Sequence, residues 1–355
     1  MYYIERLFPK ILKKSVYKTK DPQSANFFFV ESYTTCVYHN CHFNEGKTTD
    51  ECKLKTGDYL EKIIKYIRSY SFEFKVNRKD GGVEEQNSNK ISYWDRNGGL
   101  DHIFVFSWDQ ASEILGWNHP IRQLVKPSIH LTTFGTIENH SNFNSHKDVV
   151  IPPYSNYELQ LKKVEGFEKN YQKYIKLERK IFAYFRGTFI KDHKYSKGVR
   201  QFLWEIGKTH GEKFKIFEFH SENYWNEMFN STFSLCPQGW SPWSPRLFDS
   251  MIAGTIPDGT KLPFETTKLD YSSFSLKLLN KNVHMIKEVL ERNFEDEKKI
   301  LRLRRNLYKY RKEVVWYFSE EEENFDVDRG AFGNVMLELK KKGFVVGAVG
   351  NLEYW

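Results

Sequence analysis

The chain is predicted to be an α/β protein with largely parallel sheets, and three observations carry that expectation. Short apolar runs rich in aromatic and β-branched residues, NFFFV (Asn26–Val30), HIFVF (His102–Phe106) and KIFAYF (Lys180–Phe185), are bounded by polar residues and have the length of buried strands. Stretches with apolar residues at helical spacing lie between them, so strand and helix alternate through both halves. A length of 355 residues with 40% hydrophobic content suffices for two units with separate cores.

In chain order, the first strand is followed by CVYHNCHFNEGKTTDEC, which gathers Cys36, Cys41 and Cys52 with His39 and His42. These spacings match no CxxC zinc knuckle, so free thiols are the first reading, a disulfide the second and a zinc site the third. Cys236 stands apart, and four cysteines in a chain of this size do not make a stapled secreted scaffold. DYLEKIIKYIRSY, from Asp58, has helical spacing. The polar stretch FEFKVNRKDGGVEEQNSNK (Phe72–Lys90) is read as a surface loop, and WDQASEILGW, from Trp108, as a short helix after the second strand.

A Pro-Pro turn in VVIPPYSNYE leads into a charged stretch, which places a domain boundary near residue 170 and gives domains 1–170 and 171–355. The third strand is followed by the helix VRQFLWEIGKTH, from Val199. In SPWSPRLFDSMIAGTIP, Ser244 is suited to cap a helix, Pro245 to its first position and Gly254 to a left-handed C-cap. Leu247, Phe248, Met251 and Ile252 face the core, so the N-terminal turn points outward. An arginine in that turn, Arg246, is disfavoured by the helix dipole and suggests an anionic partner; the alternative is a solvated arginine on a plain surface helix. Beyond Asp270 the pattern is helical and charged, as solvated helix faces are.

The charge balance, 54 basic against 46 acidic side chains, permits an anionic ligand. Aromatic content is high at 17%, yet the basic residues are scattered and no helix-turn-helix, RNP or zinc-finger spacing occurs, which argues against nucleic acid. No apolar run reaches the roughly 18 residues of a membrane span, and MYYIERLFPKILKK is too charged for a signal peptide. The expectation is a cytoplasmic protein without an integral membrane segment, or a Golgi-lumenal one if an anchor is missing from this sequence.

Five stretches in fixed order carry a resemblance. TKDPQSANFFFV, YWDRNGGLDHIFVFSWD, KDVVIPP, FAYFRGT followed by VRQFL, and MFNSTFSLCPQGWSPWSPRLFDSMIAGTIP followed by LPFE resemble the exostosin-like glycosyltransferase family from about Thr19 to Leu339. The resemblance implies a GT-B architecture, with two Rossmann-like domains facing across a cleft. It also implies inverting transfer from a UDP-sugar (xylose, glucuronate, galactose or arabinose) to a hydroxyl of a glycan acceptor.

Ser244 and Arg246 then correspond to the diphosphate clamp, with Arg246 also stabilising the departing nucleotide. Glu265, closing LPFE, is suited to the ribose hydroxyls, the alternative being a capping or solvated carboxylate. Arg186, after a predicted strand, is expected over a phosphate, whereas Arg200 is expected in a structural salt bridge. Asp109 is the first choice of general base, with His102 and Asp101 as rivals.

No metal is required on this reading; the one DVD triplet, Asp326–Asp328, precedes a C-terminal helix rather than ending a strand. Only DGTK (Asp258–Lys261) separates the AGTIP element from LPFE, a contraction beside the donor pocket that keeps a non-catalytic glycan-binding or partner subunit as the alternative. A composition rich in Lys, Asn, Phe and Tyr fits an anchorless relative of microbial or algal-virus type.

Overall fold

The computed structural model describes residues 3–80, 83–136, 140–155, 178–219, 221–241, 243–253, 262–265, 267–278, 280–322 and 325–347. Two compact units result, one of Tyr2–Thr132, His140–Val149 and the chain from Leu339 onward, the other of Thr133–Asn139 and Val150–Glu338. The boundary expected near residue 170, the Gly254 cap and the DGTK contraction lie outside the described residues.

The first unit opens with α1 (Ile4–Lys14), whose Ile4, Leu7, Phe8 and Ile11 recur at helical spacing and are buried together. Then come β1 (Phe28–Val30) and α2 (Thr34–His39), which runs into a π-helical turn at Asn40–Asn44. Next is α3 (Thr49–Ser69), which starts well before Asp58 because Thr48 and Glu51 form a capping box: Glu51 N–H donates to Thr48 Oγ1 (3.4 Å) and Thr48 N–H to Glu51 Oε2 (2.9 Å). The chain continues through β2 (Ser71–Asp80), β3 (Val83–Ser92), β4 (His102–Phe106), α4 (Ile121–Val125), β5 (Ile129–Thr132) and β6 (Val149–Val150). The main sheet has the order β1-β4-β5-β6, with β4 parallel to both β1 and β5. Every residue of β4 is buried, which is why HIFVF shows no polar alternation.

Three expectations differ from the structure. Residues 72–90 are not a loop: β2 and β3 pair antiparallel from Ser71 opposite Ser92 to Asp80 opposite Val83. The missed signals were the alternation in FEFKV and the Asp-Gly-Gly that separates the two runs, both marks of a hairpin. The free-thiol reading fails for two of the clustered cysteines, since Cys41 and Cys52 form a disulfide, both fully buried. The π-helical turn and the first turn of α3 bring their Cα atoms to 5.5 Å, a separation a disulfide spans. Cys36 and Cys236 are free thiols. The stretch from Trp108 folds as a 3-10 turn, Ala111–Leu115, rather than an α-helix.

The second unit contains β7 (Ile181–Arg186), α5 (Val199–Thr209), β8 (Phe214–Phe217), α6 (Tyr224–Phe229), β9 (Ser231–Ser234), α7 (Pro245–Ala253), α8 (Ile286–Glu295) and α9 (Glu297–Tyr310), and the last helix of the chain is α10 (Gly330–Gly347). Its sheet has the order β8-β7-β9, all parallel. The chain leaves the central strand β7 through α5 to one side and returns through α6 to the other. That reversal is a topological switch point, where open α/β sheets commonly take a ligand at the carboxyl ends of their strands. Ala183, Phe185, Leu203, Phe214 and Phe233 form the core with Ile286, Leu290 and Ile300 of α8 and α9. No helix among the described residues is long and apolar enough to cross a membrane.

Candidate functional site

Two arginines meet at the switch point of the second unit, and neither has a carboxylate partner among the described residues. Arg200, in the first turn of α5, is 6% exposed. Its Nε donates to the Gln238 carbonyl (3.0 Å), Nη1 to the Thr188 carbonyl (3.0 Å) and the Tyr195 hydroxyl (2.5 Å), and Nη2 to the Pro237 carbonyl (3.3 Å). These acceptors fix the guanidinium between the chain leaving β7 and the chain leaving β9 without neutralising it. Arg246, in the first turn of α7, donates from Nη2 to the Arg186 carbonyl (2.6 Å) and from Nη1 to Ser244 Oγ (3.5 Å). Its Nε is buried with no hydrogen-bond partner among the described residues.

Both guanidinium groups lie over the Phe185 ring, Arg200 at 5.4 Å and Arg246 at 4.5 Å. Burial, and then the charge of Arg246, push the Arg200 guanidinium down to about 10. Two partly desolvated cations that share one aromatic ring favour an anion nearby. The amino ends of α5 and α7 add dipole charge of the same sign.

The local backbone is shaped to hold this pair. Ser196 (φ 58°), Lys197 (φ 50°) and Gly198 (φ 78°) are consecutively left-handed just before α5, whereas such residues normally occur singly. The turn is anchored by the Ser196 N–H on the Gly239 carbonyl (3.1 Å). Strain of this kind persists where the surroundings enforce it, commonly at binding sites.

Arg186, expected over a phosphate, is engaged elsewhere. Its Nε and Nη2 make a two-pronged pair with Glu227 (2.9 Å each) and its guanidinium lies 4.5 Å above the Phe217 ring. Burial opposes its charge, but the Glu227 hydrogen bonds and charge outweigh it and hold Arg186 above its ordinary value. The salt bridge expected for Arg200 thus belongs to Arg186, which contributes its backbone carbonyl to Arg246. Ser244 accepts the Arg246 N–H at Oγ (3.3 Å), the capping contact its position suggested.

Glu265 is exposed, and its Oε2 accepts the Leu262 N–H (3.3 Å). The residue before it, Phe264, is buried in the left-handed region (φ 58°), and its carbonyl accepts the N–H groups of Thr267, Lys268 and Leu269 (3.2, 2.9 and 2.9 Å). A bulky residue in that conformation marks an enforced turn, whose effect is to project the following carboxylate outward.

In the first unit, Asp109 is half-buried in the turn at the carboxyl end of β4. Gln110, not Asp109, is the N-cap of the following 3-10 turn. The rivals lie at the other end of the strand, about 13 Å away for five residues. Asp101 accepts from His102 Nδ1 (2.9 Å), Arg96 Nη2 (2.7 Å) and Asn97 Nδ2 (3.0 Å), and the buried His102 ring stacks on Phe28 at 5.1 Å.

Glu5 went unnoticed in the sequence. It is 3% exposed and accepts the Thr35 N–H (2.9 Å), the Ser107 N–H (3.2 Å), the Ser107 hydroxyl (2.9 Å) and the Thr35 hydroxyl, tying α1 to α2 and to the end of β4. Burial raises its carboxyl above the usual range although these hydrogen bonds oppose it. The available signal was its place three residues before Phe8, on the buried side of α1.

Asp58, Glu61 and His119 bring possible metal-ligating atoms together. The Ile121 N–H donates to His119 Nδ1 (3.1 Å), so the ring proton is on Nε2, directed at Asp58 Oδ1 (3.1 Å). That tautomer offers no lone pair to a cation between the three residues. A Cβ on Gly57 would lie 2.6 Å from the His119 ring, so the ring is packed directly on α3.

In the second unit a buried Arg200 and a half-buried Arg246 converge at the switch point of a parallel α/β sheet, an arrangement suited to an anionic ligand. The chain belongs to the exostosin GT47 domain family, whose profile matches residues 1–293. "Probable glucuronoxylan glucuronosyltransferase F8H" of Arabidopsis thaliana is 30% identical over 307 residues, 82% of this chain and 58% of that protein. "Probable glucuronosyltransferase 47 A" of Physcomitrium patens is 28% identical over 307 residues, 82% of this chain and 59% of that protein. The chain therefore spans somewhat more than half the length of these relatives. Among solved structures, Anabaena Alr3699/HepE in complex with UDP-glucose aligns over 70% of this chain and 72% of its own at 9% identity, with a TM-score of 0.36. A likeness of that size carries no correspondence of residues.

Proposed function

We propose that this chain is an inverting glycosyltransferase that moves a sugar from a UDP-sugar to a hydroxyl of a growing glycan, in a GT-B arrangement of two Rossmann-like domains. The observation that carries this reading is the pair at the switch point, Arg200 buried and Arg246 half-buried, neither with a carboxylate partner among the described residues, in a family whose relatives are named as glucuronosyltransferases. The names of those relatives favour glucuronate over xylose, galactose or arabinose as the donor sugar, and a xylan-type chain as acceptor.

On this reading the donor diphosphate lies against Arg200, Arg246, the Ser244 hydroxyl and the amino ends of α5 and α7. When the bond from the anomeric carbon to the diphosphate oxygen breaks, the electron pair leaves with the nucleotide. Arg246 then gains interaction as that charge grows. Glu265 accepts from the ribose hydroxyls. Asp109 takes the acceptor hydroxyl proton as its oxygen attacks the opposite face of the anomeric carbon, which is what inverts the configuration. Fixed guanidinium charge and helix dipoles supply the stabilisation that a divalent ion provides elsewhere, so no metal is required. The Cys41–Cys52 disulfide supports a working place in an oxidising compartment rather than the cytoplasm.

The test is transfer from radiolabelled UDP-glucuronate, UDP-xylose, UDP-galactose and UDP-arabinose to xylo-oligosaccharides, with and without EDTA. A chain-extended product that persists in EDTA is expected. UDP binding without transfer from any donor would favour the non-catalytic glycan-binding alternative, and activity restored only by manganese would refute the metal-free account.

A further inference from the structure

We propose that an aromatic cluster over the carboxyl ends of β1 and β4 holds a pyranose ring of the acceptor by stacking, a deepening that rests on the glycosyltransferase reading. The cluster joins the end of α2 and its π-helical turn to Trp108. Trp108 lies 4.5 Å from the Tyr38 ring and 5.9 Å from His39, His39 stacks on Phe43 (5.3 Å, 13°), and His42 stacks on Tyr38 (5.9 Å, 22°). Tyr38 is the buried base; the histidines and Trp108 are half-buried, and Phe43 is 71% exposed.

Three features show that this exposure is built in. The exposed phenylalanine sits on a π-helical turn, a rare element that is frequent at functional sites. The disulfide at Cys41 pins that turn to α3. Two non-glycine residues in the left-handed region, Tyr33 (φ 48°) and Ala111 (φ 52°), flank the cluster on its two chain segments.

The chemistry fits one face of a sugar. Aromatic faces pack against the C–H groups of a pyranose, while the His42 imidazole offers a polar edge to its hydroxyls. His42 Nδ1 is held on the Lys47 carbonyl (3.0 Å), which leaves Nε2 as the outward acceptor. Burial, then the neighbouring His42, lowers the His39 pKa, so the ring is neutral at physiological pH. The surface therefore suits a neutral ring. One exposed phenylalanine with polar edges is far smaller than the roughly 1,000 Å² a protein partner needs. Asp109 directly follows Trp108 in the chain, so platform and proposed base belong to the same turn after β4.

The experiment is titration of the full chain with xylohexaose, cellohexaose and a β-1,4-galacto-oligosaccharide, followed by calorimetry, for the natural protein, Phe43→Ala and His39→Ala, with UDP titrated separately into each. The natural protein is expected to bind at least one oligosaccharide. Phe43→Ala, at an exposed position, should weaken that binding about tenfold or more and leave UDP affinity and melting temperature unchanged. Equal oligosaccharide affinity in Phe43→Ala, or no binding of any of the three by the natural protein, overturns the acceptor platform. Loss of UDP binding alone, with oligosaccharide binding still dependent on Phe43, would overturn the donor reading and leave the platform standing.

Discussion

A Cβ on Gly187 would lie 2.5 Å from Nη2 of Arg246, so the absence of a side chain after Arg186 is what lets the second arginine reach the Arg186 carbonyl at 2.6 Å. Gly187→Ala should displace the guanidinium without touching the ligand directly. Loss of one charged hydrogen bond is worth about 1.5–3 kcal/mol, so UDP affinity should fall about tenfold or more with little change in unfolding free energy. Calorimetry with UDP and urea denaturation together check this; unchanged affinity would mean that Arg246 does not meet the ligand from this position.

Asp109→Asn should preserve the fold and UDP binding and lower transfer by about a hundredfold or more, because the amide keeps the shape of the carboxylate but cannot take a proton. Gln110, not Asp109, stands at the N-cap position of the next turn, and Asn keeps an acceptor oxygen in the place of Asp109, so the melting temperature is the control for the fold. Single-turnover transfer assays read the difference, and a fully active variant would remove Asp109 from the chemistry.

Much of the scaffold was legible in the sequence because its strands are buried on both faces and its helices are capped by local residues. HIFVF and KIFAYF announced β4 and β7, and SPWSPR announced α7 with Ser244 as its cap. The partners of Arg186 and Arg200 were not legible. Which of two arginines finds a carboxylate depends on Glu227, 41 residues beyond Arg186 in sequence but adjacent to it in the fold, and on carbonyls released at the ends of β7 and β9. Glu5 and the Cys41–Cys52 pair were hidden for the same reason: each depends on how separate elements come together.

Replacing Cys41 and Cys52 together by serine should destabilise the chain by about 2–4 kcal/mol, the usual worth of a native disulfide. Reducing agent should lower the melting temperature of the natural protein and leave that of the double variant unchanged. Equal sensitivity of both proteins to reductant would show that this pair does not stabilise the fold.

Acid should destabilise the first unit through His130. Its ring is buried, with Nε2 on the Val125 carbonyl (3.0 Å); burial first, then Lys147, lower its pKa to about 4. Between pH 6.5 and 4 the unfolded chain takes up a proton that the folded chain refuses, so stability falls as pH drops through that window, by up to about 3 kcal/mol. Glu5, with a raised pKa, acts in the opposite sense and is common to both proteins compared. His130→Gln should therefore show a shallower loss of stability between pH 6.5 and 4 in urea titrations than the natural chain, whereas parallel curves would assign the acid sensitivity elsewhere.

The central claim is that Arg200 and Arg246 together hold the donor diphosphate. Calorimetric titration of UDP into the natural chain, Arg200→Gln, Arg246→Ala and the double variant, each checked for its fold by circular dichroism, tests it most directly. The account predicts saturable UDP binding by the natural chain, a loss of about tenfold or more in each folded single variant, and no measurable binding in the double. UDP bound equally by the natural chain and a folded Arg246→Ala variant, or not bound by the natural chain at all, would contradict it.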